Sequence, residues 1–281
     1  MDVQKAVITA AAPKQRKLPL QTLIDKKGDE KAFLELLIEE VRAAGINDLC
    51  IIIQPGDEGP YAEAIGDQVH NVTFLAQKEA LGYGHALYTA NEFTGGDPFL
   101  HLVGDHLYVN RGSESSARHL VDFASKQKCA VSTVQPTRES LITNFGVVGG
   151  KRIQGVNDVY QVERVIEKPT PTEAEQKLLV PGLRAGNYLC FFGMHVLTPS
   201  LMEILGRELR TNKKISLSVA LNILAQSEQY LALERNDLRY DMGEKYGLLK
   251  AQLALALHGK DRDRILSELV EFFAMKDETR E

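Results

Sequence analysis

The chain has 281 residues, of which 44% are hydrophobic and 25% are charged, and its formal net charge is −5. This composition fits one large globular domain, or a domain with a helical extension. General nucleic-acid binding requires a basic surface, so the charge argues against it, although a local basic pocket can still hold a small anion. Without an apolar run of about 18 residues or a signal-peptide core, we expect a cytoplasmic protein with no membrane partner.

Three cysteines, Cys50, Cys129 and Cys190, lie in or beside apolar runs. Their odd number and scattered positions are unlike a disulfide framework or a metal site. We therefore expect buried, reduced thiols.

Strand-like apolar runs alternate with amphipathic, helix-like segments in the first half of the chain. The predicted strands are Ala6–Ala11, Leu49–Ile53, Val72–Leu75, Phe99–Val103 and Ala130–Val134, and the predicted helices are Lys31–Ala44, Tyr61–Val69, His85–Phe93 and Ser115–Lys126. This alternation predicts an α/β fold in which a Rossmann-like, mostly parallel sheet is covered by helices on both faces.

From Gly146 onward the pattern becomes richer in strands. Strands are predicted at Val147-Val148, Val159–Val165 and Tyr188–Phe192, helices at Ile215–Gln226, Tyr246–Leu257 and Arg264–Phe273, and a charged tail over 276–281. The polar stretch Pro169–Pro181 contains a short helical pattern. No internal repeat or linker divides the chain, so we predict a single domain over residues 1–281.

The turn Ala10–Pro19 follows the first predicted strand. In an open α/β sheet, nucleotides bind at the carboxyl ends of the strands, so this turn is a candidate phosphate-binding element. It is basic and contains alanine and proline, but it lacks the glycines that let backbone N–H groups approach a phosphate. Whether the protein is a working enzyme therefore depends largely on this turn.

Three further segments carry polar residues at predicted element boundaries. Gln77–Ala86 contains Gly82 and Gly84, which allow a close turn before a helix, although an ordinary glycine-rich turn is an equal alternative. Asp105 follows an apolar strand and a glycine, and Asp241 precedes Gly243. Each aspartate alone could be a helix cap or a turn residue, but two of them beside a phosphate site would suit Mg²⁺, which prefers oxygen ligands.

The order of these segments resembles the sugar-1-phosphate nucleotidyltransferase family, most closely its bacterial UTP–glucose-1-phosphate uridylyltransferases. The resemblance extends over almost the whole chain and rests on six ordered matches, of which the second is specific on its own. They are Lys5–Ala11, Gln77–Ala86, Leu102–Asp105, Phe145–Val148, Glu167–Pro169 and Tyr240–Gly247. The resemblance implies a nucleotide-binding half over residues 1–145, a sugar-binding half over 146–243 and C-terminal helices over 244–281.

The resemblance also implies a role for each matching residue. Gln77 would hydrogen-bond the uracil edge, and Asp105 with Asp241 would hold Mg²⁺ between the phosphates. The implied nucleotide-binding residues are Ala11, Ala12, Lys14, Gln77, Gly82 and Gly84, the sugar-binding residues are Gly146, Glu167 and Lys168, and the catalytic residues are Arg16 and Lys168.

The implied reaction joins a nucleoside triphosphate to a sugar 1-phosphate. A phosphate oxygen of the sugar 1-phosphate would attack the α-phosphorus of UTP and release pyrophosphate. That oxygen is already ionised near neutral pH, so positioning and charge neutralisation carry the catalysis and no general base is needed. We accordingly expect His85 and His106 to be turn or helix-start residues and His195 to be structural. A homo-oligomer is expected because such assemblies are common in this fold.

The family's phosphate-binding turn is altered in this chain. Where the family has Gly-x-Gly-Thr-Arg, residues 12–16 read Ala-Pro-Lys-Gln-Arg, so only Arg16 is retained. Pro13 removes a backbone donor, and a non-glycine residue in a strained conformation costs about 1–3 kcal/mol. The turn must therefore have a different shape.

The family's catalytic lysine is also ambiguous. Lys26 lies near the expected spacing from Arg16, but Leu23–Lys26 looks more like a later family segment, and Gly28-Asp29-Glu30 suits a helix-entry turn. The loop would then be shortened, its lysine deleted, and Lys26 a solvated surface residue. We favour this second interpretation.

Three hypotheses follow from these departures. In the first, the chain is a uridylyltransferase-like enzyme in which Lys14, Arg16 and Lys17 replace the lost backbone donors. In the second, it is a nucleotide-sugar-binding pseudoenzyme or regulatory subunit of the same fold. In the third, it is an enzyme that uses another nucleotide or sugar.

Overall fold

A computed structural model describes residues 1–112, 114–212 and 214–275 of the chain. The predicted charged tail, 276–281, lies outside these residues. Among the helices of the described residues, none combines the length and the apolar character needed to cross a membrane.

Strands and helices alternate along most of the chain. The strands are β1 (Lys5–Thr9), β2 (Thr22–Ile24), β3 (Glu30–Ala32), β4 (Asp48–Ile53), β5 (Val72–Ala76), β6 (Phe99–Val103), β7 (His106–Val109), β8 (Ala130–Arg138), β9 (Gly146–Arg152), β10 (Val159–Glu167), β11 (Asn187–Leu197), β12 (Tyr230–Glu234) and β13 (Leu238–Asp241). The helices are α1 (Phe33–Ala43), α2 (Glu58–Ile65), α3 (Tyr83–Tyr88), α4 (Asn91–Thr94), α5 (Ser116–Gln127), α6 (Pro171–Lys177), α7 (Pro199–Thr211), α8 (Leu217–Ser227), α9 (Gly247–Leu257) and α10 (Arg262–Met275). Two 3₁₀ segments cover Gly66–Asn71 and Glu139–Asn144.

One nine-stranded sheet forms the centre of the molecule, in the order β5-β4-β1-β6-β11-β8-β12-β10-β9. The N-terminal strands β5, β4, β1 and β6 run parallel to one another. β11 enters antiparallel between β6 and β8, and the far edge is antiparallel as well. The predicted α/β class is confirmed, and the sheet as a whole is mixed.

Helices cover both faces of this sheet, as predicted. Successive side chains of a strand point to opposite faces, so Ile8 packs in the core with α1 and α5, whereas Val7 packs in the core with α7 and α8. The stripe of α1 that includes Phe33 and Leu37 is fully buried. Burying both faces explains why the central strands are continuous apolar runs.

Several elements were not predicted from the sequence. They are helix α7, strand β12 and two small antiparallel pairs, β2 with β3 and β7 with β13. The sequence does contain the pattern of a helix at α7. Pro199 lies in its first turn, and Leu201 and Leu205 are spaced so that both are buried on one face. The strands β7 and β13 have four residues each and gain their pairing only from the tertiary fold.

The cysteine prediction is confirmed. Cys50, Cys129 and Cys190 are all buried and free. Burial raises the pKa of the Cys50 thiol to about 12 and that of Cys190 to about 11. These thiols therefore pack as small apolar side chains.

Candidate active site

A cavity of about 530 Å³ opens at the carboxyl ends of β1 and β6, where Thr9 and Val103 contribute to its wall. The ends of β10 and β13 reach the same cavity. Of the residues predicted for the site, it brings together Ala12, Gln77, Gly82, Asp105, Gly146, Glu167, Lys168 and Asp241. It does not bring Ala11, Lys14, Arg16 or Gly84 to its wall.

Two aspartates and a histidine form a cluster in this cavity. Asp105, His106 and Asp241 each offer a ligand atom, and these atoms lie within 4.8 Å of one another. β13 pairs antiparallel with β7, which sets Asp241 opposite His106, and the Met242 N–H donates to the Asp105 carbonyl at 2.8 Å. Asp241 Oδ1 accepts from the Gly243 N–H at 2.8 Å. The backbone thus holds both carboxylates in place.

The electrostatics of this cluster keep the Asp105 carboxylate ionised near neutral pH, which a cation ligand requires. Burial raises the pKa of Asp105, but hydrogen bonding and charge from His106, together with the charge of Arg239, outweigh burial and leave the pKa below its usual value. His106 Nδ1 and Asp105 Oδ1 are 2.6 Å apart, so the imidazole is engaged as a partner of the carboxylate. The remaining carboxylate oxygens suit a hard divalent cation such as Mg²⁺.

Gln77 is buried at the cavity wall and directly follows β5 in the chain. Its Nε2 donates to the Gly82 carbonyl at 3.1 Å and lies 3.1 Å from His85 Nδ1. The amide is therefore held in one orientation, and its carbonyl oxygen is the group left for an N–H donor of a ligand. Gly82 has φ +97°, a backbone conformation that favours glycine.

Gly84 has a packing role instead of lining the cavity. Its N–H donates to the Ile215 carbonyl at 3.0 Å. A Cβ at this position would lie 2.8 Å from that carbonyl oxygen and from Ile215 Cγ2. Glycine is required here because α3 packs closely against the residues that precede α8, and the predicted contact of Gly84 with a nucleotide stays a prediction.

Gly146, Glu167 and Lys168 lie together at the ends of β9 and β10. A Cβ at Gly146 would lie 2.7 Å from Phe191 Cδ2 and 3.1 Å from Glu167 Oε2, so glycine keeps this wall open. Glu167 Oε2 accepts a hydrogen bond from the Ser218 hydroxyl, which leaves the other carboxylate oxygen for a ligand. Lys168 has φ +49°, and its N–H donates to the Phe145 carbonyl at 2.9 Å.

The turn after β1 has the different shape that its composition predicts. The Gln15 N–H donates to the Ala12 carbonyl at 2.9 Å and the Leu18 N–H to the Gln15 carbonyl at 2.8 Å. Residues 10–19 are all described, and none of them has a positive φ. Ala11 is buried, and its carbonyl accepts from Gln54 Nε2, so the close approach of backbone to phosphate that glycine permits is absent in this turn.

The cations of this turn lie away from the cavity wall. The Arg16 guanidinium is 3.2 Å from Asp57 Oδ1, and the Tyr61 hydroxyl donates to the Arg16 carbonyl at 2.7 Å. Lys14 and Lys17 are exposed. The nearly buried carboxylate of Asp57 holds the Arg16 side chain, so neither Arg16 nor Lys14 lines the cavity, and their roles stay predictions.

Lys26 is also outside the cavity wall. Its Nζ donates to the Asn110 carbonyl at 3.1 Å. Burial lowers the pKa of Lys26, and the nearby charges of Glu40 and Asp237 oppose that shift. Lys26 is therefore half-buried and connects the turn between β2 and β3 to the residue that follows β7. It neither lines the candidate active-site cavity nor is fully exposed to solvent.

Among the cavity groups that sequence reasoning missed, two belong to the same part of the wall as the aspartate cluster. The first is Arg239, whose guanidinium carbon lies 4.3 Å from the centroid of the Phe145 ring. Its position directly before the Tyr240–Gly247 motif was the available signal. The second is Gln15, whose Nε2 would collide with a Cβ at Gly243 and therefore lies beside the aspartate cluster.

A buried polar chain extends from the cavity wall into the sheet. The Tyr83 hydroxyl lies 2.7 Å from His101 Nε2, and His101 Nδ1 lies 3.0 Å from the Val7 carbonyl. A neutral ring protonated on Nδ1 satisfies both bonds, and burial lowers the pKa of His101 to about 4. The His195 ring stacks on it at 5.8 Å and has the Ser132 hydroxyl as a hydrogen-bond partner, and His195 also lines the cavity.

Comparisons with known proteins point in one direction. The UTP–glucose-1-phosphate uridylyltransferase YngB of Bacillus subtilis is 30% identical over 99% of this chain and 98% of its own length. UTP–glucose-1-phosphate uridylyltransferase 2 of Staphylococcus saprophyticus is 27% identical over 96% of each chain.

Solved structures share the fold. A UDP-glucose pyrophosphorylase crystallised with UDP-glucose superposes with a TM-score of 0.74 at 21% identity, covering 90% of this chain and 98% of that one. The UTP-bound enzyme from Acinetobacter baumannii superposes with a TM-score of 0.75 at 19% identity, covering 96% and 99%.

The family model described as "Nucleotidyl transferase" matches residues 19–257, most of the chain. The match begins after the altered turn, so the family assignment does not depend on residues 12–16. Together with the near full-length relatives, it confirms the predicted family. The chain belongs to the nucleotidyl transferase family.

Proposed function

We propose that the protein transfers a uridylyl group from UTP to glucose 1-phosphate and forms UDP-glucose and pyrophosphate. The observation that carries the proposal is that one cavity is lined by the aspartate pair, by Gln77 and by Glu167 with Lys168. A uracil edge, phosphates and a sugar would each meet suitable groups there. The names of the near full-length relatives support the same substrates.

In the proposed reaction a phosphate oxygen of glucose 1-phosphate attacks the α-phosphorus of UTP. The new P–O bond forms as the bond from the α-phosphorus to the β-phosphate oxygen breaks, and pyrophosphate leaves with that electron pair. The attacking oxygen is already ionised, so no side chain needs to remove a proton. Catalysis then rests on holding the two phosphates in line and on neutralising their charge.

Each group at the wall has a part in this positioning. The carbonyl oxygen of Gln77 would accept a hydrogen bond from the base, and the free oxygen of Glu167 would accept from sugar hydroxyls. The Lys168 ammonium would contact a phosphate. Asp105 and Asp241 would hold Mg²⁺, whose charge would offset that of the phosphates.

The altered turn motivates one alternative. Its backbone has no positive φ and its cations lie elsewhere, so triphosphate binding could be too weak for turnover while UDP-glucose still binds. The protein would then be a nucleotide-sugar-binding pseudoenzyme or regulatory subunit.

The test is a pyrophosphate-release assay with four nucleoside triphosphates against a panel of sugar 1-phosphates, with Mg²⁺ and with EDTA. The proposal expects Mg²⁺-dependent release that is fastest with UTP and glucose 1-phosphate. Release that is fastest with another pair would instead support the hypothesis of a different nucleotide or sugar. No release from any pair, combined with UDP-glucose binding in calorimetry, would establish the binding-only alternative.

A further inference from the structure

Arg239 is a half-buried cation at the wall of the cavity. It lies on β13 opposite Tyr108 of β7, and its guanidinium faces the Phe145 ring at 4.3 Å and the Phe192 ring at 6.0 Å. One of its nitrogens donates to the Phe191 carbonyl. Contact with the aromatic rings fixes the orientation of the guanidinium plane. The N–H groups at its edge stay available to donate hydrogen bonds to other partners.

Arg239 has no anionic partner of its own. Among residues 1–112, 114–212 and 214–275, no carboxylate forms an ion pair with its guanidinium. Burial lowers the pKa of Arg239, and the more distant charges of Asp241 and Glu244 act in the opposite direction. An arginine stays protonated in proteins, so its charge remains partly desolvated and uncompensated.

The position of Arg239 relative to the aspartate cluster is set by the strand. Residues i and i+2 of a strand point to the same side, so Arg239 and Asp241 both face the cavity. The charge of Arg239 also contributes to the lowered pKa of Asp105. A group bound beside Arg239 is therefore next to the place where the two carboxylates would hold a cation.

Among the described residues, the basic side chains that line the cavity are those of Arg239 and Lys168. Arg16, Lys14 and Lys17 lie away from the wall, and Lys168 is the remaining lysine that lines it. A phosphate group in the cavity would meet a turn without the family's glycine backbone. It would, however, find the planar, five-donor guanidinium of Arg239, whose geometry suits two parallel hydrogen bonds to phosphate oxygens.

We propose that Arg239 binds a phosphate group of the substrates and supplies the donors that the altered turn no longer provides. The inference rests on the proposed function for the identity of the substrates, but not for the chemical class of the ligand, which is a phosphate. That phosphate could belong to the nucleotide or to the sugar.

The test measures binding to the full chain by calorimetry, without turnover. Pyrophosphate, glucose 1-phosphate, uridine and UTP are titrated separately into the native protein, Arg239→Gln, Arg239→Lys and the control Arg118→Gln. Arg118 is exposed on α5, where its guanidinium pairs with Asp122. Thermal unfolding of each variant reports its stability, and Arg239→Lys covers the case in which Arg239→Gln fails to fold.

We expect Arg239→Gln to weaken phosphate binding by roughly 10- to 100-fold, the range for a charge-assisted hydrogen bond, and to leave uridine binding unchanged. Arg239→Lys keeps the positive charge but cannot make two parallel hydrogen bonds to a phosphate. It should therefore lose part of the affinity for the phosphate ligands. Loss with pyrophosphate and UTP alone would assign Arg239 to the nucleotide, and loss with glucose 1-phosphate alone would assign it to the sugar phosphate.

Two results would overturn the proposal. One is unchanged affinity for every phosphate ligand in the folded Arg239 variants. The other is an equal loss for uridine, because that would mean that Arg239 only maintains the shape of the cavity. If native protein binds pyrophosphate through Arg239 but binds neither uridine nor UTP, the proposed function fails while the phosphate site stands.

Discussion

Asp241 lies opposite His106 in the antiparallel pairing of β13 with β7, and this register brings its carboxylate to Asp105. A shift of one residue in a strand turns its side chains to the other face. The small two-stranded sheet therefore decides whether two aspartates from distant parts of the chain meet. We regard this register as the structural basis of the candidate cation site.

The first prediction concerns that pair of carboxylates. Asp105→Asn and Asp241→Asn should each reduce Mg²⁺-dependent pyrophosphate release by at least about 100-fold, because each removes a charged oxygen ligand next to the phosphates. Nucleotide binding measured in EDTA should change much less. The initial rate at varied Mg²⁺ is the measurement.

Asp122→Asn is the matched control for these variants, since Asp122 is an exposed carboxylate on α5 that pairs with Arg118. It should retain the native rate and the native dependence on Mg²⁺. Native-like turnover by either Asp105→Asn or Asp241→Asn would show that the cluster holds no catalytic cation.

The second prediction concerns the open wall at Gly146. In Gly146→Ala the added Cβ would meet Phe191 Cδ2 at 2.7 Å and the Ser218 hydroxyl oxygen at 3.0 Å. We expect the KM for glucose 1-phosphate to rise by about tenfold and the free energy of unfolding to fall by about 1–3 kcal/mol, the usual cost of overpacking. Steady-state kinetics and chemical denaturation measure the two effects.

Gly59→Ala provides the comparison, because a Cβ there meets nothing within 4 Å and Gly59 lies inside α2. Gly59 is exposed and directly precedes Pro60, so Gly59→Ala should leave the KM for glucose 1-phosphate unchanged. If Gly146→Ala keeps the native KM, Gly146 does not shape the sugar end of the cavity.

The third prediction separates positioning from folding at α8. Ser218 donates to Glu167 Oε2, whereas Ser216 caps the helix by accepting from the Val219 N–H. Ser218→Ala should raise the KM for glucose 1-phosphate several-fold and leave the KM for UTP unchanged, because the Glu167 carboxylate loses its orienting donor.

Ser216→Ala should show the converse behaviour. Loss of the cap costs about 1 kcal/mol of stability, with both KM values near native. A Ser218→Ala variant that resembles Ser216→Ala in both respects would argue that Glu167 does not contact the sugar hydroxyls.

The fourth prediction concerns stability in acid. The pKa of His101 is about 4 in the folded protein, below its ordinary value of 6.5, because of burial. Between these values the unfolded chain binds one more proton than the folded protein, so the free energy of unfolding falls as the pH drops from 6.5 to 4. The expected loss from this residue is roughly 3 kcal/mol, and it is absent above pH 7.

Denaturation curves from pH 4 to 7 measure this effect. His101→Gln removes the titratable imidazole. The slope of the free energy of unfolding against pH should then fall by up to about 1.4 kcal/mol per pH unit. His70→Gln, at an exposed position, should leave the slope as it is in the native protein. Identical slopes for native and His101→Gln proteins would contradict the prediction.

Local patterns in the sequence were sufficient for the α/β class and for much of the site. Buried strands such as β6 are apolar runs with polar residues directly after them, and the carboxyl ends of parallel strands meet at one edge. The motifs therefore predict that Gln77, Asp105 and Glu167 belong to one site, and all three line the same cavity. Short strands such as β7 and β13 escaped prediction because their stability comes from pairing with each other.

The sequence by itself determined the family, the central strands and the loss of the glycine turn, since these depend on residue types and their order along the chain. Only the tertiary structure decided which cations face the cavity. Arg16 keeps its place in the motif but pairs with Asp57, whereas Arg239 reaches the wall over the Phe145 ring. The physical reason is that a long charged side chain takes its direction from partners that are distant in sequence, and the sequence order does not reveal these partners.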